Sequence, residues 1–199
     1  MDMALDALTD ASDEALLALY ANGDRAAARA LTLRLTPRVL GYATRLLAGD
    51  RAEAEDVAQE AMLRLWRIAP DWRRDEARVT TWLYRVATNL CTDRLRARRR
   101  RATAPIDDTP DIADTTPGVE SALIAADRMA ALESALGQLP ERQRQAVVLR
   151  HIEGLPNPEI AAVMDINVEA VESLTARGKR NLAALLSGQR AELGYEDEV

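Results

Sequence analysis

The stretch EIAAVMDINVEAVESLTARGKR, residues 159–180, predicts two short helices joined by a tight turn. Asn157 and Pro158 precede it and are typical of a helix start, since Asn caps the first turn and Pro lacks the N–H that would stay unpaired there. The turn falls at 165–167, and Asn167 is placed to cap the second helix. This spacing is typical of a helix-turn-helix, whose second helix enters the major groove of DNA.

The second helix of this pair has an apolar side and a polar side. Val171, Leu174, Gly178 and Leu182 recur at the spacing of one buried face. On the polar side, glutamates near the helix start stabilise the helix dipole, or accept a hydrogen bond from the amino group of cytosine. Both interpretations stay open, and such a helical pair also occurs in plain bundles. The polar side consists of Glu169, Glu172, Ser173, Arg177 and Arg180.

The rest of the chain also predicts helices, with no convincing strand pattern. Alanine and leucine dominate, and both favour helices, as do arginine and glutamate. Ser12 and Asp24 are placed to cap two helices, the second of which is expected to end at Leu35. Thr36-Pro37 is expected to start a third helix, because proline is tolerated at the first helical position. Further helices are expected over 51–69, 80–100, 119–136, 140–152, 157–164 and 168–187.

The composition changes abruptly in the middle of the chain. Residues 102–118, ATAPIDDTPDIADTTPG, contain three prolines and four aspartates and predict an acidic flexible linker. The fold class is therefore all-α, with two small helical domains. The expected division is a first domain over 1–101, the linker, a second domain with the helix-turn-helix over 119–187, and an acidic tail over 188–199.

Several classes of protein are unlikely on composition alone. No apolar run approaches the roughly 18–20 residues that span a bilayer, and the N-terminus lacks the basic start of a signal peptide. Cys91 and His151 are the single cysteine and histidine, which excludes an internal disulfide and a zinc site built from them. The sequence also contains no Gly-rich phosphate loop, so it gives little indication of an enzyme. A cytoplasmic, non-enzymatic protein without metal or cofactor is expected.

The net charge of −6 averages unlike parts of the chain. Residues 1–101 hold 18 arginines against 15 acidic residues, whereas the linker and the tail are acidic. An acidic protein binds DNA weakly by itself, since neutralisation of phosphates supplies most non-specific affinity. The balance therefore favours a protein that a larger partner carries to DNA.

Three features of the first domain are candidates for binding a partner or nucleic acid. Asp56, Gln59 and Glu60 form a polar stripe on one helix face, which is either functional or merely solvated. Trp82, Tyr84, Arg85 and Asn89 lie together near a helix start, and aromatic, arginine and amide side chains are suited to unpaired bases, although Trp82 fits a core position equally well. The third feature is an arginine cluster, which favours contact with phosphate. It consists of Arg94, Arg96 and Arg98 to Arg101.

Four motifs in order resemble bacterial sigma factors of the extracytoplasmic-function type, within the sigma-70 family. They are AEDVAQEAMLRLWR (54–67), TWLYRVATNLCTDRLRARRRR (81–101), LGQLPERQRQAVVLRHIEGLPNPEIAAVMDI (136–166) and VEAVESLTARGKRNL (168–182). The resemblance extends over about 12–187. It implies that the two domains correspond to sigma domain two and sigma domain four, and that the partners are RNA polymerase core and promoter DNA.

The resemblance also implies roles for particular residues. Asp56, Gln59 and Glu60 would bind core polymerase. The melted −10 element would be read by the loop around 71–79 and by the residues of the following helix, and the linker would run toward the RNA exit path. The residues implied for the −10 element are Arg85, Asn89, Arg94, Arg98 and Arg99. Those implied for the −35 element are Glu169, Glu172, Ser173, Arg177 and Arg180.

The sequence departs from the family on the recognition helix. Ala170, Glu172 and Leu174 stand where many members have Thr, Lys and Arg, which indicates an altered −35 preference or a weaker grip. The resemblance further implies control by an anti-sigma factor. The alternative function is a decoy that keeps the fold and sequesters an anti-sigma factor without binding DNA. A dimeric helix-turn-helix repressor would leave the first domain without a role.

Overall fold

A computed structural model describes residue 8 and residues 10–73, 78–102 and 120–187. Within those ranges the chain is helical and has no strand. Helices α1 to α4 form the N-terminal half, and helices α5 to α8 form the C-terminal half. Their bounds are α1 Asp13–Ala21, α2 Arg25–Leu46, α3 Arg51–Ile68, α4 Val79–Ala102, α5 Glu120–Gln138, α6 Glu141–Val147, α7 Asn157–Met164 and α8 Val168–Ser187, with a 3-10 turn at Ala69–Asp71 after α3 and a π turn at Val148–Ile152 after α6.

The predicted caps of α1, α2 and α8 are confirmed. Ser12 Oγ accepts a hydrogen bond from Ala15 N at 3.2 Å, and Asp24 Oδ1 accepts one from Ala26 N at 2.8 Å. Asn167 Oδ1 accepts one from the amide of the third residue of α8 at 2.9 Å. Each cap satisfies an N–H that has no partner inside its helix, so these helix starts are fixed locally.

One predicted helix boundary is wrong. Helix α2 is continuous from Arg25 to Leu46 and contains Pro37 in its interior, where two helices were expected. Proline in a helix interior costs about 3 kcal/mol. Leu31, Leu35 and Val39 lie on both sides of it and are buried, and each buried aliphatic side chain contributes about 1.5–3 kcal/mol. Packing of the whole face against the core therefore outweighs the local cost of the proline.

Helices α2 and α4 are joined by a buried polar contact in the N-terminal core. The rings of Tyr42 and Tyr84 meet edge to face, with centroids 5.0 Å apart, and the hydroxyls of Tyr42 and Thr88 are hydrogen-bonded at 2.7 Å. Burial raises the pKa of Tyr42. The pair fixes the rotation of α4, because a buried hydroxyl is costly unless it is hydrogen-bonded. This rotation places Arg85 and Asn89 on the exposed side of α4.

The C-terminal half contains the predicted helix-turn-helix, formed by α7 and α8. Asp165 adopts a left-handed conformation at the end of α7, with φ of 53°, and the chain turns there into α8. The predicted cap at Asn157 is wrong, because Asn157 is the first helical residue and Pro156 occupies the cap position without a side-chain bond. The helix expected over 140–152 changes to a π turn after Val147.

The two halves pack against each other in this structure. Helix α4 lies along α7, and α2 also contacts α5 and α6. The predicted acidic linker lies outside the described residues, apart from its first residue at the end of α4. The predicted acidic tail also lies outside them.

Candidate nucleic-acid interface

The polar side of α8 is presented to solvent as a single surface. Glu169, Glu172, Ser173, Arg177 and Arg180 are all exposed, so the structure brings the five predicted −35 residues together. Arg177 donates to the carbonyl oxygen of Ser173 at 3.2 Å and to its hydroxyl at 3.0 Å. The surface therefore carries acidic groups toward the helix start and cations in the following turns.

Close packing of α8 on α6 fixes which side of α8 faces outward. Val171 and Gly178 are buried, and Leu174 and Leu182 pack against the same core. A Cβ atom on Gly178 would lie 2.6 Å from Val147 Cγ2, so α8 approaches α6 more closely than any other residue would allow. The opposite, polar side of α8 must then point away from the protein.

Glu172 has a partner outside α8. Asn157 Nδ2 donates to Glu172 Oε1 at 3.4 Å, which links the start of α7 to the recognition helix. Glu169 lies in the first turn of α8, the position at which a carboxylate stabilises the helix dipole. Glu169 therefore has the position that stabilisation of the helix dipole requires. Glu172 instead accepts a hydrogen bond from an uncharged side chain at the surface.

The exposed side of α4 forms one wall of a cleft between the two halves. Arg85 and Asn89 line this cleft of about 450 Å³, whose opposite wall includes Arg142 and Asp165 of the C-terminal half. Arg85 and Asn89, two of the five predicted −10 residues, are exposed, as required of a contact surface. The sequence did not predict that the C-terminal half would stand opposite them.

The aromatic residues near the start of α4 are packed rather than exposed. Tyr84 is 2% exposed, and its hydroxyl donates to the Glu153 carboxylate of the C-terminal half. Trp82 is half-buried, with its ring edge to face against Trp72 at 5.9 Å. The expectation that Tyr84 stacks on bases is therefore not met in this structure, because its ring belongs to the core.

The arginine cluster meets protein carboxylates. Arg94 pairs with Glu53 at 3.1 Å, and Arg98 pairs with Glu53 at 3.5 Å and with Asp50, the cap of α3. Arg99 pairs with Glu141 of the C-terminal half at 3.2 Å. Pairs that solvent reaches contribute about 0–1 kcal/mol, so they are readily exchanged for phosphate contacts.

The polar stripe on α3 borders an apolar groove. Gln59 lines this groove of about 480 Å³ between α2 and α3, together with Leu40, Met62, Leu63 and Trp66. Leu63 is 41% exposed although it is a large apolar side chain. Sequence reasoning missed this groove, although an apolar residue beside a polar stripe was a usable signal. Exposed apolar surface of this kind is typical of a protein-binding site.

The two acidic residues of the stripe differ in their surroundings. Glu60 accepts a hydrogen bond from Arg64 at 2.8 Å, and this bond lowers the pKa of the Glu60 carboxyl. Asp56 is exposed. The Glu60 carboxylate is therefore charged near neutral pH, and the Asp56 side chain is open to a partner surface.

Comparison with known proteins finds a matching family for each half of the chain. The model of sigma-70 region 2 matches residues 31–101, and that of sigma-70 region 4 matches residues 129–182. The extracytoplasmic-function sigma factor SigM of Mycobacterium tuberculosis is 38% identical over 175 residues, covering 88% of this chain and 85% of its own. The chain belongs to the sigma-70 family. Within it, the chain is an extracytoplasmic-function member.

Two further sigma factors extend the comparison. The sigma-H factor of Pseudomonas aeruginosa is 35% identical over 181 residues, covering 86% of this chain and 92% of its own. The structure of CnrH in complex with the cytosolic domain of CnrY matches with a TM-score of 0.65 at 28% identity, covering 89% of this chain and 99% of CnrH. Region 2 therefore contains most of α2 together with α3 and α4, and region 4 contains the helix-turn-helix.

The described residues give little indication of a metal site, a membrane span or a reactive cysteine. Among the described residues no cluster of His, Cys, Asp and Glu is placed to hold a metal, and no described helix is long and apolar enough to cross a membrane. Cys91 is buried, and burial raises the pKa of its thiol to about 12. Desolvation lowers the pKa of His151, and its two neighbouring cations add to that effect.

Proposed function

We propose that this chain binds RNA polymerase core and directs transcription initiation at promoters through their −10 and −35 elements. The observation that carries the proposal is the pairing of two surfaces in one sigma factor. Region 2 offers an exposed polar face on α4, and region 4 offers an exposed recognition helix. A decoy for an anti-sigma factor would need neither surface.

Core polymerase binds the α3 surface in this proposal. Asp56, Gln59 and Glu60 provide charge and hydrogen-bonding groups, and the adjacent groove with Leu63 provides apolar area. An apolar centre with a polar rim is the usual anatomy of a protein interface. The charged residues set the orientation of docking, and the groove supplies most of the affinity.

The −10 element binds the exposed side of α4. Arg85 and Asn89 have the donors that read base edges, and they lie one helical turn apart on the same face. Arg94, Arg98 and Arg99 follow along the helix and contact the DNA backbone. Each phosphate contact adds affinity that falls with salt, because it releases condensed counterions.

The −35 element binds the polar side of α8. Arg177 and Arg180 contact phosphate, while Glu172 accepts a hydrogen bond from a cytosine amino group. The acidic start of α8 is tolerated because region 4 does not bind alone. Once core polymerase and region 2 are in place, the second contact is intramolecular and needs only modest affinity.

We further propose that an anti-sigma factor controls this chain. The neighbour CnrH was solved with the cytosolic domain of CnrY bound to it, so a similar chain of the same fold takes a protein partner. An anti-sigma factor that covers the α3 surface or the α4 face would prevent use of the polymerase or the promoter. The action is regulatory and non-enzymatic, and its location is the cytoplasm.

Transcription with site variants tests these assignments. Arg85→Ala and Asn89→Ala should each reduce run-off transcription with purified core by roughly tenfold or more, since a bidentate base contact contributes about 1–3 kcal/mol. Arg29→Ala is the matched control, because Arg29 is an exposed arginine on α2 that is not one of the proposed DNA contacts. If all three variants kept the transcription activity of the wild type, the α4 face would not read the −10 element.

A further inference from the structure

An asparagine at the start of α7 carries an amide that its own helix does not use. Asn157 is the first helical residue, and Pro156 occupies the cap position before it. The Asn157 side chain therefore does not cap α7, although capping is the usual use of an asparagine at a helix start. Its Nδ2 atom instead donates to Glu172 Oε1 on α8, at 3.4 Å. The amide thus acts on the recognition helix rather than on its own helix.

The backbone that carries this amide is held on both sides. Pro156 and Pro158 flank Asn157, and each proline ring fixes its own φ. Before them, the carbonyl oxygen of the buried Leu155 accepts a hydrogen bond from Arg150 at 3.1 Å, which ties the entry into α7 to the π turn. The Asn157 amide is therefore offered to α8 from a fixed point.

The core of the helix-turn-helix sets the distance between the two side chains. Ile160 and Met164 of α7 and Val171 of α8 are all buried. Because packed side chains resist relative movement, the start of α7 keeps its place beside the polar side of α8. Asn157 and Glu172 are 15 positions apart in the sequence and face each other across this rigid joint.

Glu172 is an exposed carboxylate without an ion pair in the described part of the chain. Val168 and Ala176 lie one turn away on either side along α8, and neither can pair with it. Glu169, three residues earlier, has the same charge and repels it. The bond from Asn157 is therefore the interaction that restricts where the Glu172 carboxylate points.

A neutral donor restrains this carboxylate without consuming it. An ionised carboxylate has about four acceptor positions, and one hydrogen bond occupies a single position. A cation in place of the amide would neutralise Glu172 and compete with a base for it, whereas the amide leaves its charge and its second oxygen available. A long side chain that is already restricted also loses less conformational entropy when it binds. The pair is thus suited to accept a hydrogen bond from a cytosine amino group.

We propose that Asn157 is a positioning residue for −35 recognition, which orients the Glu172 carboxylate so that α8 selects a cytosine. This inference rests on the proposed reading of the −35 element by α8. Asn157 itself does not contact the base. The base preference therefore depends on a residue outside the recognition helix.

Transcription from a promoter pool with a randomised −35 element, with the full chain and purified core, tests the inference. The measured quantity is the cytosine preference. It is the ratio of transcripts from templates with cytosine to transcripts from all other templates, at the base pair where Glu172→Ala loses discrimination. Asn157→Ala should reduce this ratio by about three- to tenfold, which corresponds to one hydrogen bond.

Asn157→Asp separates positioning from support of the fold. It replaces the donor by a carboxylate that repels Glu172, so the cytosine preference should fall at least as far as in Asn157→Ala. An acidic residue in the first turn of α7 stabilises the helix dipole, so the melting temperature should stay at or above that of the alanine variant. A purely structural asparagine would give the opposite result, with the preference retained in the aspartate variant.

A matched control and a double variant complete the experiment. Asn181 is also an exposed asparagine that joins α8 to α6, through a bond to Gln143 Oε1 at 2.8 Å. Asn181→Ala should leave the cytosine preference unchanged. In a Glu172→Ala background, Asn157→Ala should have no further effect on the preference, because the side chain that it orients is gone.

The remaining outcomes distinguish this inference from the proposed function. If Glu172→Ala changes the preference but both Asn157 variants behave like the wild type, the inference is overturned and the proposed function stands. An effect of Asn157→Ala that persists in the Glu172→Ala background, or that falls at another base pair, would show that Asn157 contacts DNA itself and would also overturn it. An unchanged preference in Glu172→Ala would overturn the reading of cytosine. Absence of transcripts with the wild-type chain and core would contradict the proposed function and the inference together.

Discussion

Replacement of Gly178 by alanine tests the packing that orients the recognition helix. The new Cβ would lie 2.6 Å from Val147 Cγ2 and 3.1 Å from the Gln143 carbonyl oxygen. The first contact is too short to persist and the second is with backbone, so α8 must shift away from α6. Overpacking of this kind costs about 1–3 kcal/mol, and the better helix propensity of alanine returns about 1 kcal/mol. The expected net loss is about 0–2 kcal/mol, centred on about 1 kcal/mol.

Gly41→Ala is the matched comparison, because Gly41 is also in a helix interior. Its new Cβ would meet only the Arg45 terminal nitrogen at 3.0 Å, and that flexible side chain can move. The propensity gain then remains, at about 0.5–1 kcal/mol. In a chain of this size each kcal/mol shifts the melting temperature by about 2–4 °C.

Thermal unfolding followed by circular dichroism gives the comparison directly. Gly178→Ala should lower the melting temperature by about 2–4 °C, while Gly41→Ala should raise it by about 2 °C. In run-off assays Gly178→Ala should also reduce transcription from promoters that depend on the −35 element, because the shifted α8 presents its polar side differently. A rise in melting temperature for both variants would refute the close packing of α8 on α6.

Three further predictions concern the proposed surfaces and the core. Leu63→Glu should abolish binding to core polymerase and leave the fold intact, whereas Leu33→Glu, at a leucine that is 64% exposed, should bind normally in a pull-down with core. Glu172→Ala should change the preferred −35 sequence in transcription from a randomised promoter pool, whereas Glu169→Ala should lower thermal stability by about 0.3–1 kcal/mol and leave the preference unchanged. Cys91 should resist a thiol reagent at pH 8 until the protein unfolds, because burial raises its pKa to about 12 and the thiolate is the reactive form; rapid labelling of the folded chain would contradict its burial.

Local sequence signals predicted the starts of α1, α2 and α8 and the helix-turn-helix. The caps at Ser12, Asp24 and Asn167 depend on a side chain and an amide two or three residues later, so the residues themselves are sufficient. The break expected at Pro37 was wrong, because burial of the α2 face against distant residues outweighs the proline. Local pattern carries no information about that competing energy.

Contacts between distant residues account for what the sequence could not predict at the site. The five residues of the α8 surface follow from helical periodicity alone and were predicted as a set. Tyr84 and Glu153 are 69 positions apart, and no periodicity relates them. Arg94 and Arg98 are likewise paired with the start of α3, so the arginine cluster is less exposed than its composition suggests. The roles of these residues toward polymerase and DNA stay predictions.

Run-off transcription with purified core polymerase tests the central claim most directly. The template is a pool of promoter fragments from the genome that encodes this chain, and core alone is the control. The account predicts discrete transcripts that require the chain and whose upstream regions share −10 and −35 elements. Absence of such transcripts, together with no binding of the chain to core, would contradict it and favour the anti-sigma decoy.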